Sequence, residues 1–316
     1  MGNIRASNGV VLAKIETTYQ TDAVPVVGTN AILVESVDFK TEGLTMNDRP
    51  AIRADIGQLQ QVYGGALARL SFDVEVKGSG TAGTAPEHGT LLRACAMGET
   101  VVASTSVTYK PISSAHESAT IYYFEGGVKK HVLTGCRGTV VLKLSARGIA
   151  RYSFEFVGHV ANPVDIAIPV PVYGTQVPKP TLSMAIAIGG ISALTVRSWS
   201  VDLKNTIATP GSVSASDGFG AVIITKRDVS GEIELDAELA SVIDLDTQLS
   251  AGTGLNFASG TLGSVAGNRF TATGATLGLF WRDRQFGAED GLAKRTMPFG
   301  ITQSATGNDE IALAYT

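Results

Sequence analysis

Between Leu70 and Val76 apolar and polar residues alternate strictly. Leu70, Phe72, Val74 and Val76 fall in one phase, and Asp73 and Glu75 in the other. A period of two is that of a β-strand with one face buried and one face solvated. Val229 to Ala237 repeats the pattern: Val229, Ile233 and Leu235 share one phase, and Glu232, Glu234 and Asp236 share the other. Further strand patterns are paired around turn residues. Ala119 to Phe124 meets Val128 to Leu133 through Glu125-Gly126-Gly127, and Thr139 to Leu144 meets Ile149 to Val157 through Ser145 to Gly148. Thr276 to Phe286 and Leu292 to Ile301 flank Glu289-Asp290-Gly291. Two short helices are expected, one near Pro86 to Met97 with Leu91, Leu92 and Cys95 on one face, the other from about Glu238 to Leu249.

These elements come in two similar series. Ser36-Val37-Asp38-Phe39-Lys40 recurs 164 residues later as Ser200-Val201-Asp202-Leu203-Lys204. After each copy comes a long polar loop, from Thr41 to about Gly65 and from Asn205 to about Gly220. An alternating acidic strand and a helix follow in both cases. Between the series, Pro163 to Pro180 holds five of the chain's 11 prolines. Proline fixes φ and removes a backbone donor, so this stretch predicts a stiff, extended connector. The expected fold is mainly β. It has two tandem domains of β-sandwich or partly open barrel type, each with a short flanking helix, over 1–160 (with an N-terminal arm) and 182–316, joined by a linker at 161–181.

Composition narrows the function. The chain has 316 residues, 44% of them hydrophobic, enough for real cores. Net charge is −4, without the basic excess of a protein that grips nucleic acid. No apolar run reaches the roughly 18 residues of a membrane helix. Met1 to Ala6 lacks the apolar segment of a signal peptide, so folding in the cytoplasm of the producing cell is expected. Cys95 and Cys136 read as small buried hydrophobes, and Trp199 and Trp281 as core residues within strands.

Catalytic patterns are missing. His88, His116, His131 and His159 lack metal-ligand spacing and read as scattered surface or turn residues. Gly78 to Gly83 fits the letters GxGxxG, but no helix opens inside it, and it reads as a flexible connection. Asp244 and Asp246 lie close together without a calcium-loop pattern and read as a solvated helix face. The expectation is a protein that is not an enzyme and has no catalytic, cofactor or metal site.

Four stretches together resemble the tail tube proteins of long-tailed bacteriophages. They are Glu16 to Asp22 followed by a strand around Leu33 to Lys40; the loop Thr41 to Gly65 leading into Ala66 to Val76; Pro86 to Cys95; and Leu133 to Val140 running on to Gly158. The resemblance covers about residues 10–160, and the second half joins it through the repeat. It implies tube domains that pack edge to edge into rings, in a virion tail assembled in the host cytoplasm. A duplicated chain would form a trimeric, pseudo-hexameric ring, and duplication favours a non-contractile, siphovirus-type tail. Implied partners are further copies of the chain, a tape measure protein, tail-end proteins and double-stranded DNA passing without specific binding; no membrane is implied. Asp73, Glu75, Glu232, Glu234 and Asp236 are expected to face the lumen, where an acidic wall repels DNA and keeps it mobile. Loops this long are uncommon unless functional. Both are therefore expected to reach the adjacent ring, helped by the arm from Met1 to about Asn30, with Asn47, Asp48, Arg49, Arg53, Asp55 and Gln58 as contacts. Alternative readings are another virion part (baseplate hub, terminator or decoration protein) and a carbohydrate-binding, adhesive sandwich.

Overall fold

The computed structural model describes residues 8–191, 194–239, 241–242 and 244–316. The first half contains β1 (Gly9–Ile15), β2 (Ala31–Ile32), β3 (Glu35–Glu42), a small ribbon of β4 (Met46–Asn47) and β5 (Val62–Tyr63), and β6 (Leu67–Glu75). Then come α1 (Gly89–Ala94), β7 (Met97–Val102), β8 (Ser106–Pro111), β9 (Ala119–Glu125), β10 (Lys129–Ser145) and β11 (Arg151–Val160). β12 (Val164–Asp165) opens the proline-rich stretch. The second half contains β13 (Ile186–Ile188), β14 (Val196–Asp202), β15 (Thr206–Ala208), β16 (Ile223–Lys226), β17 (Ser230–Asp236) and α2 (Leu245–Ala251). It ends with β18 (Phe257–Ser259), β19 (Phe270–Gly274), β20 (Leu279–Trp281), β21 (Gln285–Glu289), β22 (Leu292–Ile301) and β23 (Ile311–Tyr315).

The larger sheet contains an antiparallel path in the order β3-β6-β11-β10-β14-β17-β22-β21. The path places the two copies of the repeated pattern alike. Asp38 of β3 is opposite Ser71 of β6, and Asp202 of β14 is opposite Ser230 of β17. The halves meet where β10 pairs with β14, Lys143 opposite Ser200 and Leu144 opposite Trp199. The smaller sheet runs β13-β18-β19-β23-β8-β7, so the last strand of the chain also joins the halves. Neither sheet closes into a barrel among the described residues.

The sheets stack face to face around one hydrophobic core that includes Val11, Phe72, Phe154, Trp199, Phe270 and Tyr315. Trp199 of the larger sheet lies over Phe257 of the smaller one, ring centroids 4.8 Å apart. Each fully buried Phe-sized side chain contributes about 1.5–3 kcal/mol. Tyr315 sits at the centre of a buried polar cluster, 2.7 Å from His88 Nε2 and 2.8 Å from the Tyr152 hydroxyl. Cys95 and Cys136 are fully buried free thiols, and burial pushes both thiols well up.

Several expectations change. Val128 to Leu133 and Thr139 to Leu144 form one strand, β10, because a bulge between Thr134 and Arg137, with Gly135 at φ 63°, carries pairing through. The second helix is shorter than expected: α2 starts after Asp244, whose carboxylate caps it by accepting from the Thr247 N–H at 2.9 Å. The expectation for Asp246 falls on a side chain outside the described ones. Three of the four histidines are not surface residues, while His116 is partly buried in the loop between β8 and β9. His88, His131 and His159 are buried and each hydrogen-bonded to Tyr or a carboxylate, which gives each ring a polar partner inside the fold. Gly78 to Gly83 is not a loose connection. Gly80 N–H donates to Gly267 O at 2.9 Å, and a Cβ on Gly78 would lie 2.0 Å from that same oxygen. The glycines are there for close backbone contact between the halves. Nor is the described part of the N-terminal segment a free arm. β1 lies inside the larger sheet between β2 and β9, and buried Glu16 accepts from Ser118, Thr120 and the Gly135 N–H.

Candidate functional site

Strand pairing decides which side chains share a face. Along the eight-strand path, Phe72, Val74, Ile233 and Leu235 point into the core. Asp73, Glu75, Glu232, Glu234 and Asp236 lie in the opposite phase and are partly or fully exposed. Asp73 is opposite Ser153, Glu75 opposite Arg151, Glu232 opposite Ser200 and Pro298, and Glu234 opposite Thr296. The structure therefore brings all five acidic candidates onto one polar face that spans both halves. A shallow depression of about 340 Å³ at the joint is bordered by Asp73 and Glu232.

The five carboxylates are not equivalent. Asp236 accepts from Arg197 Nε at 2.6 Å, and Glu234 is paired with Lys294. Lys294 and Arg197 also reach Glu289, at 3.0 and 3.3 Å. The Lys294 ammonium is held above its usual range by its bonds to Glu234 and Glu289, and Arg197 above its own by Asp236. No ion pair joins Asp73, Glu75 or Glu232 to a described residue. The guanidinium of Arg151 stands beside Asp73 and Glu75 but bonds Glu35, at 3.0 Å.

The long loops differ from each other. Residues 43–65 project as the β4–β5 ribbon with an irregular tip. Asn47, Asp48, Arg49, Arg53, Asp55 and Gln58 are all exposed, as are Ile52 and Ile56. Their described polar contacts stay within the loop: Gln61 Nε2 donates to Asp48 at 2.6 Å, and Arg53 pairs with Asp55 at 2.8 Å. The corresponding segment 205–226 folds back onto the first half. Val222 is buried with Leu67 and Val157, and Phe219 packs beside them. The Val222 N–H donates to the Tyr19 hydroxyl at 2.6 Å, and its carbonyl accepts from Arg137 at 2.7 Å. His159 Nδ1 donates to Asp217 at 2.5 Å. Within Asn205 to Gly220, Ile207 and Phe219 are packed against the first half, while Val213 at the loop tip is fully exposed. The segment's apolar residues, Ile207, Phe219 and Val222, were the signal available in the sequence.

The strands at the two ends of the eight-strand path, β3 and β21, each keep one edge unpaired among the described residues, as do β2 of the larger sheet and β7 of the smaller one. β3 pairs on one side with β6, and its other side pairs with no described strand. β21 pairs only with β22; it is exposed throughout, and Phe286 is 66% exposed. Unpaired edges are normally blunted in a soluble monomer, because their N–H and C=O groups recruit other strands. No group of His, Cys, Asp and Glu among the described residues is arranged to hold a metal ion, and no described helix is long and apolar enough to cross a membrane.

The family model described as phage tail tube protein matches residues 6–310. The chain belongs to the phage tail tube protein family. No curated protein matches the chain. Membership makes this tail tube protein a structural component of a bacteriophage tail, one that assembles with itself and with other tail proteins.

Proposed function

We propose that the chain is the ring-forming subunit of a non-contractile tail tube. It would act as two tandem tube units, 1–160 and 182–316, bridged by 161–181. Three copies form a pseudo-hexameric ring, and rings stack through the ribbon of residues 41–65 into a conduit for DNA ejection into the host. The observation that carries this reading is the eight-strand path with an acidic outer face and an open edge at each end. The unpaired edges at the two ends of this path are both covered when the path closes on copies of itself. Three copies supply 24 strands, and at about 4.8 Å per strand the backbone circle is about 37 Å across before strand tilt widens it. That leaves room for a DNA duplex along an inner wall bearing Asp73, Glu75, Glu232, Glu234 and Asp236. Repulsion between this wall and the phosphates, screened over about 8 Å, keeps the duplex from sticking. The tape measure protein would fill the same lumen before DNA does, and tail-end proteins would cap the stack in the virion. Electron microscopy of the purified chain tests the reading. Tubes with three chains per ring support it, and rings of six chains, or a chain that stays monomeric at every concentration, refute it.

A further inference from the structure

We infer that the ring closes by the open edge of β3 pairing antiparallel with β21 of a second copy, while the base of the β4–β5 ribbon enters that copy's cavity beside Lys226 and Thr302. The inference rests on the ring reading above and identifies its contacts. The chain already contains one example of this joint. β14 pairs with β17 on one side and with β10 on the other, and the loop after β14 clasps the preceding half. β3 holds the place of β14 in the repeat and pairs with β6 on one side only.

Residues that are buried at the internal joint have counterparts left uncovered at the ends. Val201 and Leu203 are 2% and 3% exposed, whereas Val37 and Phe39, at the same places in the repeat, are only partly buried. The register extends the comparison to the other edge. Lys143 pairs with Arg151, opposite Glu75, and Gln285 pairs with Thr296, opposite Glu234, so Gln285 stands where Lys143 does. Phe286 then matches Leu144, which is buried opposite Trp199. Counting back from the matched Ser71 and Ser230, Tyr63 matches Val222. Val222 is fully buried and Tyr63 is 61% exposed.

The receiving site is present as well. Val222 sits on Leu67 and Val157 of the first half. The matching positions in the second half are Lys226 and Thr302, and both line a cavity of about 420 Å³ that also includes Arg227 and His116. Its walls are more polar than the Leu67–Val157 seat, which suits a tyrosine, with its hydroxyl, where the internal joint uses valine. Strand directions agree too. Every neighbouring pair on the path is antiparallel, so β3 of the next copy continues the alternation after β21.

At the internal joint Lys143 is opposite Ser200. The proposal therefore places Ser36 of one copy opposite Gln285 of the next. Gln285→Cys is combined in turn with Val34→Cys, Ser36→Cys and Asp38→Cys, a spread that covers the irregular register between Glu35 and Asp38. Cys95 and Cys136 are fully buried and give no background. Oxidation of assembled rings should link chains covalently, most strongly for Ser36→Cys, in a ladder that stops at three. A ladder that continues to six supports the edge pairing and overturns the three-chain ring. Rings that assemble and show no cross-link at any of the three positions overturn the edge assignment and leave the ring reading intact. A wild-type chain that forms no rings overturns both. Separately, Tyr63→Ala should raise the concentration needed for assembly about tenfold with the monomer's unfolding unchanged. Assembly at the wild-type concentration overturns the cavity contact.

Discussion

β14 and β3 carry the same five-residue pattern and end in different surroundings. β14 lies inside a sheet with partners on both edges, and the loop that follows it is pinned by Tyr19, Arg137 and His159. β3 lies at an end with one partner, and the loop that follows it rests at its base on Asp217 and Phe219 while residues 47–58 stand in solvent. The local sequence specifies a strand in both places; burial comes from what lies alongside. In the ring proposed above, the joint that the chain makes once within itself would be made a second time with another molecule.

The comparison breaks most directly if equal truncations of the two strands cost the same in the unassembled chain. Leu203→Ala removes a fully buried side chain at the internal joint, and the expected loss is about 2–5 kcal/mol. Phe39→Ala removes a larger side chain that is still partly exposed, and about 1–2 kcal/mol is expected. Denaturant unfolding of the two monomeric variants gives the contrast. A Phe39→Ala loss as large as that of Leu203→Ala would mean that β3 is already fully packed and awaits no neighbour.

Acid separates the two joints next. His88, bonded to Tyr315 of β23, lies where the smaller sheet joins the two halves, and β3 and β21 contain no histidine. Burial lowers His88 from 6.5 to about 3. The neutral form is the one that folds, and the unfolded chain takes up the proton more readily. The stability from this group is therefore complete above pH 6.5 and is lost as pH falls from 6.5 towards 3, at up to about 1.4 kcal/mol per pH unit. His88→Gln should flatten the stability profile over that window. A wild-type profile already flat between pH 6 and 4 is the contrary result.

Much of this was legible in the sequence. The alternation at Leu70 to Val76 and at Val229 to Asp236 placed two strands and separated their buried from their exposed phases, because a period of two fixes the face of every residue. The glycine turns at Gly126-Gly127 and Asp290-Gly291 fell where positive φ is needed. What could not be read was long-range pairing. Nothing local in Thr134 to Arg137 says that a bulge will carry β10 through, and nothing local in Gly78 says that Gly267 will lie against it. The docking of 205–226 was missed for the same reason: its seat, Leu67 and Val157, is far away in sequence. The acidic positions were readable as exposed, but their pairing with Arg197 and Lys294 depends on which strands become neighbours.

The two loops give a sharper test that leaves the fold alone. Deleting Asn47 to Gln60 removes only exposed residues and Leu59, which is partly exposed. Monomer stability should stay within about 0.5 kcal/mol of wild type. Polymerisation into tubes should be lost. Tubes of normal length from the deletion would show that the ribbon does not stack rings.

The smallest effect on fold and assembly, and the most specific one, is expected from the acidic face. Its two ends again differ: Glu234 and Asp236 already hold cations, while Asp73 and Glu232 border the depression at the joint with no ion-pair partner among the described residues. Replacing Glu234 or Asp236 with lysine would set a third cation beside Lys294 and Arg197 and disturb the sheet, so it is a poor probe of the lumen. Asp73→Lys with Glu232→Lys reverses exposed charge without removing a described ion pair. Each position recurs once per chain, so a three-chain ring would gain six lysines on its inner wall. Because exposed charges away from partners change stability little, the variant should fold and form tubes like wild type. A duplex in the lumen would then meet cations at every ring. Phosphate neutralisation with counterion release turns repulsion into adhesion, and that adhesion weakens steeply with salt. Phage assembled with the variant should eject DNA more slowly, and raising the salt concentration should restore the rate. Ejection at the wild-type rate in low salt would place these carboxylates on the outside of the tube.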